Sequence, residues 1–243
     1  MQRLGADHGA EPPYDHGVET GRIDDDDTGD DSVAVLSRAA DFGAYFATGR
    51  WRPDAGWRSL DDLADPAVLD AEVDRTTRAL GGRVEPRVAA STLHLGLVAK
   101  ITAPLLGAAV ATALLPQLTT DSVWWRVRSN GPLRIATSPV PVLPASSQRL
   151  GRLIETLTAG LCDAVGERYA VSPQVLWGNV ASSLSAAARV IGDRDGVHDL
   201  TAGALRVGRL RGTIDQHGIR RSCCLFYRAP GGGYCGDCVL TTR

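Results

Sequence analysis

Long apolar runs and a surplus of one charge are both missing from this sequence of 243 residues. The first 30 residues contain no apolar stretch of the kind that a secretory signal needs. The longest apolar stretch, residues 101–115, contains Pro104 and is shorter than the roughly 20 residues of a membrane-spanning helix. The formal net charge is −2, which gives no electrostatic basis for binding nucleic acid. We therefore expect a cytoplasmic protein that does not insert stably into a membrane, with peripheral membrane association left open.

Composition places the chain among globular proteins. About 44% of the residues are hydrophobic and 22% are charged, which excludes wholesale disorder and a collagen-like or coiled-coil rod. Residues 1–32 are rich in Asp, Gly and Pro and lack apolar periodicity, so they predict a disordered acidic leader. A helical body is expected over residues 33–211, followed by a separate Cys-rich segment over residues 212–243.

Helical spacing of apolar residues dominates the expected body. With Pro or Gly at several boundaries, the pattern predicts helices over residues 33–46, 65–81, 87–115 (as one helix or as two broken near Pro104), 150–165, 173–191 and 199–210. Two β-rich runs, residues 122–128 and 133–137, flank Asn130-Gly131, which is typical of a hairpin turn, although Pro132 departs from the ideal turn. The predicted fold class is α+β, with a mostly helical body and a small hairpin near residues 121–138.

Four of the five cysteines lie close together near the C-terminus, in the spacing C-C-x10-C-x2-C: Cys223, Cys224, Cys235 and Cys238. In a reducing compartment such a group indicates a metal site rather than disulfides. Gly236 lets the chain turn between the second pair, and the Pro-Gly-Gly-Gly stretch at residues 230–233 can bring that pair back to the first. Adjacent residues of an extended chain point to opposite sides. The first pair can therefore share one site only if the backbone is kinked or the bound group is larger than one ion.

Either Zn²⁺ or an iron–sulfur cluster could take four thiolates. Structural zinc favours two knuckles of the C-x2-C type around one ion, whereas a [2Fe–2S] cluster offers two irons and needs two thiolates on each. The tandem first pair therefore favours the cluster, and zinc is the alternative. Unligated thiols in a Gly-rich terminus would be open to oxidation, which argues against four ordinary cysteines.

The C-terminal residues resemble the [2Fe–2S] motif of the ferric iron reductases of the FhuF type, which act on iron–siderophores. The resemblance includes the cysteine spacing, the aromatic Tyr227, the Pro-Gly-Gly turn and Gly236. The Trp-Gly-Asn core within residues 176–182 and the Ala-Ala-Ser of residues 89–91 are also similar to the family. The resemblance spans about residues 85–243, and the residues before that carry no motif of this kind.

What the resemblance implies is an oxidoreductase that gives one electron to Fe³⁺ in an imported ferric siderophore, of the hydroxamate type. Cys223, Cys224, Cys235 and Cys238 would be the ligands of the [2Fe–2S] cluster, and no catalytic residue is needed beyond it. Val239 stands where the family usually has Pro, a small departure. Hard oxygen ligands favour Fe³⁺ over Fe²⁺, so reduction would release the iron. Since no flavin or nicotinamide fingerprint is found, the electron donor would be a protein such as a ferredoxin or a reductase, or a soluble reductant.

Arginines crowd the approach to the cysteines: Arg206, Arg209, Arg211, Arg220, Arg221 and Arg228. Four thiolates give a cluster negative charge, so nearby cations should raise its reduction potential, and they could also hold an anionic siderophore. Substrate contact is expected first at Arg220, Arg221 and Arg228. The alternative is an ordinary solvated basic face.

Other polar residues have simpler interpretations. We expect Trp177 to pack at the edge of an apolar stripe and Asn179 to satisfy a buried backbone group rather than to contact substrate. His94 is expected to be a hydrogen-bonded core residue and Cys162 a buried small hydrophobe. His217 is not expected to be a ligand, because the four cysteines already complete the site.

Two alternatives to a reductase stay open from the residues alone. The first is a zinc-stabilised binding module with no redox role, which would be colourless where an iron–sulfur protein is red-brown. The second is an iron–sulfur protein that binds ferric siderophore or passes electrons elsewhere without being the physiological reductase.

Overall fold

A computed structural model describes residues 28–53, 56–127 and 133–241. The helices in these ranges are α1 (Thr28–Ser37), α2 (Pro66–Ala79), α3 (Pro86–Thr112), α4 (Ser147–Tyr169), α5 (Pro173–Ile191) and α6 (Val197–Ala204). The strands are β1 (Gly49–Arg50), β2 (Arg58–Ser59), β3 (Leu114–Pro116), β4 (Val123–Arg126), β5 (Arg134–Thr137) and β6 (Val142–Pro144). Short 3-10 helices cover Arg38–Phe42, Leu60–Ala64, Thr120–Ser122, Gly208–Leu210 and Phe226–Arg228. This arrangement confirms the predicted α+β class.

Helix α3 is the centre of the core. It is apolar on every side, buried along most of its length, and contacts α1, α2, α4, α5 and α6. Pro104 lies inside it, yet one helix continues to Thr112, because packing on all sides stabilises the turn that loses a backbone hydrogen bond. Among the described residues, α3 alone is long and apolar enough to cross a membrane, but 61% of its most apolar window is buried inside the protein.

The predicted hairpin is present as the antiparallel pair β4–β5, in which Val123 faces Thr137 and Trp125 faces Ile135. Its turn, Asn130-Gly131, lies outside the described residues. Strand β1 adds in parallel to β5, and β2 adds antiparallel to β4, which gives the order β1-β5-β4-β2. Strands β3 and β6 form a separate antiparallel pair. Trp125 is buried and donates from Nε1 to the Ser59 carbonyl at 2.9 Å, which fastens the sheet to the edge strand β2.

Helix boundaries follow the expected signals at most ends. Asp65 caps α2, since its carboxylate accepts from the N–H groups of Ala67 and Val68, and two glycines with positive φ follow the helix. Two predicted helices differ from the structure. The helix predicted over residues 33–46 starts at Thr28 and is followed by a 3-10 helix from residue 38. The helix predicted over residues 199–210 ends at Ala204, before a 3-10 turn that begins at Gly208. Residues 1–27, most of the predicted leader, lie outside the described residues.

Helices α2 and α4 are joined by a charged cluster at the surface. The Asp70 carboxylate accepts from Arg168 at 3.0 Å (Nε) and 2.6 Å (Nη2), and from the Tyr169 hydroxyl at 2.6 Å. These hydrogen bonds, with that of Arg168 the largest, lower the pKa of Asp70 to about 2. A carboxylate with a lowered pKa stabilises the folded state above its unfolded pKa, near 3.9, and loses that effect as the pH falls through its folded value.

We therefore expect Asp70→Asn to lower the urea midpoint at pH 7, because Arg168 and Tyr169 lose their charged acceptor. The difference from the wild type should shrink as the pH falls from about 4 to about 2. Asp195→Asn, which changes an exposed carboxylate on another face, is the control and should shift the midpoint less. A midpoint difference for Asp70→Asn that is the same at pH 7 and at pH 2 would contradict this account.

Candidate metal centre

The C-terminal segment, residues 212–241, folds back on itself so that its two cysteine pairs meet. Ile214 and Arg220 form an antiparallel bridge, and the Asp215 carboxylate between them accepts from the N–H groups of His217 at 2.8 Å and Ile219 at 3.0 Å. The N–H of Arg220 then donates to the carbonyl of Asp237 at 3.1 Å. This bond holds the backbone just before Cys223 and Cys224 beside the turn from Cys235 to Cys238.

The sulfur atoms of Cys224 and Cys235 lie 3.6 Å apart, and all four cysteines are free thiols. Two thiolates on one tetrahedral metal, with metal–sulfur bonds of about 2.3 Å, would be about 3.8 Å apart. Within the described ranges, no three or more His, Cys, Asp or Glu side chains converge on a single ion position. One member of each predicted pair therefore lies at the spacing of two ligands on one metal. A group with two metal ions suits this donor set better than a single zinc ion does.

The backbone turns sharply at Leu225, directly after the tandem cysteines. This residue follows Cys224 directly and adopts the left-handed conformation, with φ of 70°, which is uncommon for a side chain of this kind. The turn aims the N–H of Leu225 at the sulfur of Cys223, 3.4 Å away. An N–H group directed at a ligand sulfur stabilises negative charge on that sulfur. It would therefore help to set the reduction potential of a bound cluster.

The surroundings of Cys223 and Cys235 raise the pKa of both thiols. Burial, together with the neighbouring thiolates of Cys224 and Cys238, raises the pKa of Cys223. Burial first, and the adjacent Cys224 in addition, raise the pKa of Cys235 to about 12, although the positive charge of Arg220 opposes the shift. Thiolates at these positions need cations beside them, and a metal centre with Arg220 nearby supplies that charge.

Arg220 is buried, with 1% of its surface exposed, and its guanidinium is held by three side chains. Nη1 donates to Oδ1 of Asn179 at 2.9 Å, while Nη2 donates to Oγ of Ser182 at 2.8 Å and to Oδ1 of Asp237 at 3.2 Å. Burial alone would raise the pKa of Asp237, but the Ser182 hydroxyl and the Arg220 charge hold it below its usual range. Arg220 thus joins helix α5 to the Cys235–Cys238 turn.

A chain of buried polar groups continues from Asn179 into the core. Nδ2 of Asn179 donates to the carbonyl and hydroxyl oxygens of Ser91 at 3.3 and 3.2 Å and lies 3.5 Å from Nδ1 of His94. The Ser91 hydroxyl donates to the carbonyl of Cys224 at 2.8 Å, and Nε2 of His94 lies 3.3 Å from the sulfur of Cys162. Burial lowers the pKa of His94 to about 3, so His94 is a neutral core residue at physiological pH. These contacts agree with the core interpretations of Asn179, His94 and Cys162.

Apolar packing holds the other side of the segment. Leu225 and Ala229 bury against Val88 at the start of α3, in a small cluster apart from the main core. Arg228 forms an ion pair with Glu85, the residue before α3. Arg228 therefore contributes a docking contact, and a role in binding substrate stays a prediction.

The Trp-Gly-Asn core of α5 has a separate physical reason at each position. Trp177 is buried beneath the Arg209 guanidinium, whose central carbon lies 5.4 Å from the ring centroid. A Cβ on Gly178 would lie 2.4 Å from Oγ of Ser222, so glycine permits the segment to approach the helix. Ser222 donates there to the carbonyl of Gln174 at 2.6 Å. Asn179 provides the acceptor for Arg220.

The remaining arginines lie on the far side of α5 from the buried network. Arg209, Arg211 and Arg221 line a cavity of about 500 Å³ with Trp177 at its wall, here called the arginine cavity. Arg209 pairs with Asp163 at 3.2 Å, and Nε of Arg211 donates to the carbonyl of Arg206. Arg221 is exposed and His217 lies in an exposed turn. Five of the six arginines are therefore divided among a buried site, a docking pair and a surface cavity, and the sixth, Arg206, contacts Arg211 through its carbonyl oxygen.

Sequence reasoning missed Asp237, Ser91 and Ser182 as parts of the site. Asp237 lies between two ligand candidates and faces the one arginine of this group that is buried. A carboxylate inside a C-x2-C knuckle, with arginines earlier in the segment, is a sequence signal for a buried ion pair of this kind. Ser91 lay within a motif that the resemblance included, but its contact with the Cys224 carbonyl spans 133 residues of sequence.

Residues 220–240 match the family model of the FhuF 2Fe-2S C-terminal domain. This part of the C-terminal segment is similar to the FhuF-type 2Fe-2S domain. All four clustered cysteines fall within the match, and the cofactor of this domain is a [2Fe–2S] cluster. No curated protein matches the chain. The helical residues that hold Arg220 lie before the matched range, so their roles are derived from the contacts above.

The ligand set generates the first prediction for this site. Replacing any one of Cys223, Cys224, Cys235 or Cys238 with Ser should abolish or strongly shift the visible absorption, because one of the two irons would lose a thiolate ligand. Cys162→Ser is the matched control: this thiol is buried in α4 against His94, so the spectrum should be retained. Iron and acid-labile sulfide should each be present at about two per chain. Zinc at about one per chain without sulfide would overturn the assignment.

Two glycines in helices give a matched stability test. Gly160 in α4 has open space at its Cβ position, so Gly160→Ala should stabilise the fold by about 0.5–1 kcal/mol through helix propensity. Gly178→Ala should lose that gain, because the new methyl displaces the Ser222 hydroxyl from Gln174, a bond worth about 1 kcal/mol. Urea unfolding of both variants measures the difference. Equal stabilisation by the two substitutions would show that Ser222 does not dock against Gly178.

Proposed function

We propose that this protein reduces Fe³⁺ in ferric siderophores, of the hydroxamate type, in the cytoplasm. The observation that carries the proposal is the match to the FhuF-type domain, whose four cysteines, two buried and two half-buried, pack against a helical body that offers no other reaction chemistry among its described residues. A bound [2Fe–2S] centre supplies one electron at a time, which is what the conversion of Fe³⁺ to Fe²⁺ requires. The electron is replaced by a one-electron donor protein such as a ferredoxin or a reductase.

The chain's own residues hold and tune the centre. Cys223, Cys224, Cys235 and Cys238 would be its ligands. Arg220 places a full positive charge beside the sulfurs of Cys224 and Cys235 in a site where water is excluded. A buried cation would stabilise the extra negative charge that reduction brings, so Arg220 would raise the potential, and the carboxylate of Asp237 would offset part of that effect. Asn179, Ser182 and Asp237 fix the guanidinium in place.

Release of iron follows from the charge of the metal. Oxygen ligands of the hydroxamate type bind Fe²⁺ far less tightly than Fe³⁺, so transfer of a single electron is enough to weaken the chelate. No proton has to move at a protein side chain during this transfer. The absence of a paired-carboxylate or Ser-His-Asp arrangement from the sequence is consistent with such a reaction.

The direct test uses holo-protein reduced with dithionite and freed of excess reductant under anaerobic conditions. A ferric trihydroxamate should restore the oxidised spectrum, and about one Fe²⁺ per cluster should be captured by a ferrous chelator. The gallium(III) complex of the same ligand is the control, because Ga³⁺ has the same charge but accepts no electron here. If ferricyanide oxidises the protein while ferric trihydroxamates do not, the protein is an electron carrier without this reductase activity.

A further inference from the structure

A second cavity, of about 450 Å³, opens on the opposite side of α5 from the arginine cavity. It lies between α3, α5 and the loop that follows α1, and we call it the aromatic cavity. Its apolar lining includes Phe42, Tyr45, Phe46, Leu95, Ala186 and Val190. Volume and lining are those of a small-molecule site, which is concave and mostly apolar with a few polar groups.

One wall of the aromatic cavity is the cysteine segment itself. Cys235, Gly236 and Asp237 line it, together with Arg220. Cys235 is half-buried, so this wall is where the metal-binding turn meets the cavity. Electron transfer requires the iron–sulfur cluster and the Fe³⁺ of the substrate to be held close together. A molecule seated here would contact the turn that carries a predicted ligand.

The mouth of the cavity is built from side chains that have little reason to be exposed in a monomer. Tyr45 is 48% and Val190 64% exposed, and they are two of the few large apolar side chains that face solvent in the described ranges. The Tyr45 rim is held by Lys100, which donates to the Tyr45 carbonyl at 3.1 Å and lies 4.1 Å above its ring. Clustered exposed apolar surface beside a cavity marks a binding site.

Charge at the aromatic cavity is low. Arg220 and Asp237 neutralise each other, which leaves Arg189 at the exposed rim as the cation among the lining residues. Binding a chelate of high negative charge against this lining would carry a large desolvation penalty. A chelate in which monoanionic oxygen groups balance Fe³⁺ carries no net charge and an organic periphery. Such a molecule fits the lining.

We propose that the aromatic cavity binds the ferric chelate, with its organic periphery against Tyr45 and Val190 and the metal directed toward the Cys235 turn. This inference rests on the proposed function and adds the site at which the substrate is held. The arginine cavity is the competing location. The aromatic cavity is favoured because a cysteine forms part of its wall, whereas the segment residues that line the arginine cavity are Gly212, Thr213, Arg221 and Ser222.

The experiment measures equilibrium binding of a redox-inert probe, the gallium(III) complex of a linear trihydroxamate, to oxidised holo-protein by calorimetry. Ala186→Trp fills the cavity from a half-exposed position of α5, and Val190→Asp adds a negative charge at its exposed rim. Both should weaken binding at least tenfold. Ala202→Trp, at an exposed position of α6, is the matched control and should bind like the wild type.

Binding that survives both cavity substitutions would overturn the proposal, as would loss of binding in Arg221→Gln alone, which would move the site to the arginine cavity. Circular dichroism and cluster absorbance of Ala186→Trp establish that the variant is folded, and Val190→Asp tests the same cavity without adding bulk. A separate measurement, oxidation of the reduced protein by the ferric chelate, tests the proposed function. A wild-type protein that is not oxidised by the ferric chelate disproves reduction, whereas one that is oxidised with unaltered rates in both cavity variants disproves this site only.

Discussion

A guanidinium as deeply buried as that of Arg220 must have both its charge and its N–H groups satisfied by the protein. Leaving one member of a buried ion pair without its partner costs about 3–5 kcal/mol. Arg220 meets this constraint for its charge and for Nη1 and Nη2 by taking acceptors from two separate parts of the chain, Asn179 and Ser182 on α5 and Asp237 in the cysteine turn, whereas its buried Nε has no hydrogen-bond partner among the described residues. The Gly-rich segment cannot form a core of its own. Its position on the helical body therefore depends on this contact and on the Leu225 packing at α3.

The same residue connects structure to redox chemistry. The positive charge that docks the segment lies beside the sulfurs of Cys224 and Cys235, so a change that loosens the docking also changes the electrostatic environment of the cluster. On one side of α5, arginines and Trp177 line one cavity, and on the other a second, more apolar cavity reaches the Cys235 turn. The helix that bears the Trp-Gly-Asn core thus separates two surfaces of different chemistry while supporting the centre between them.

Much of this arrangement could be predicted from the sequence because it is local. Apolar periodicity predicts α4 and α5, Asp65-Pro66 and Gly81-Gly82 predict the two ends of α2, and the cysteine spacing favours a two-iron centre. The partners of Arg220 could not be predicted in this way, since 41 residues separate it from Asn179 and the Ser91 contact spans 133. Periodicity identifies which face of a helix is buried, but it does not identify the polar groups that meet across the core. Arg220 was expected at a solvated or substrate-binding surface and is instead among the most buried large side chains.

Hydrogen–deuterium exchange of the Arg220→Lys holo-protein tests the central claim most directly. Lysine keeps the positive charge, but its single nitrogen cannot reproduce the two-nitrogen fork that reaches Asn179, Ser182 and Asp237 together. With the cluster absorbance retained, amides in residues 220–240 should exchange faster than in the wild type, while those in α2 and α4 keep their rates. Unchanged exchange across residues 220–240 would show that the segment is held by other contacts and that Arg220 does not control its docking.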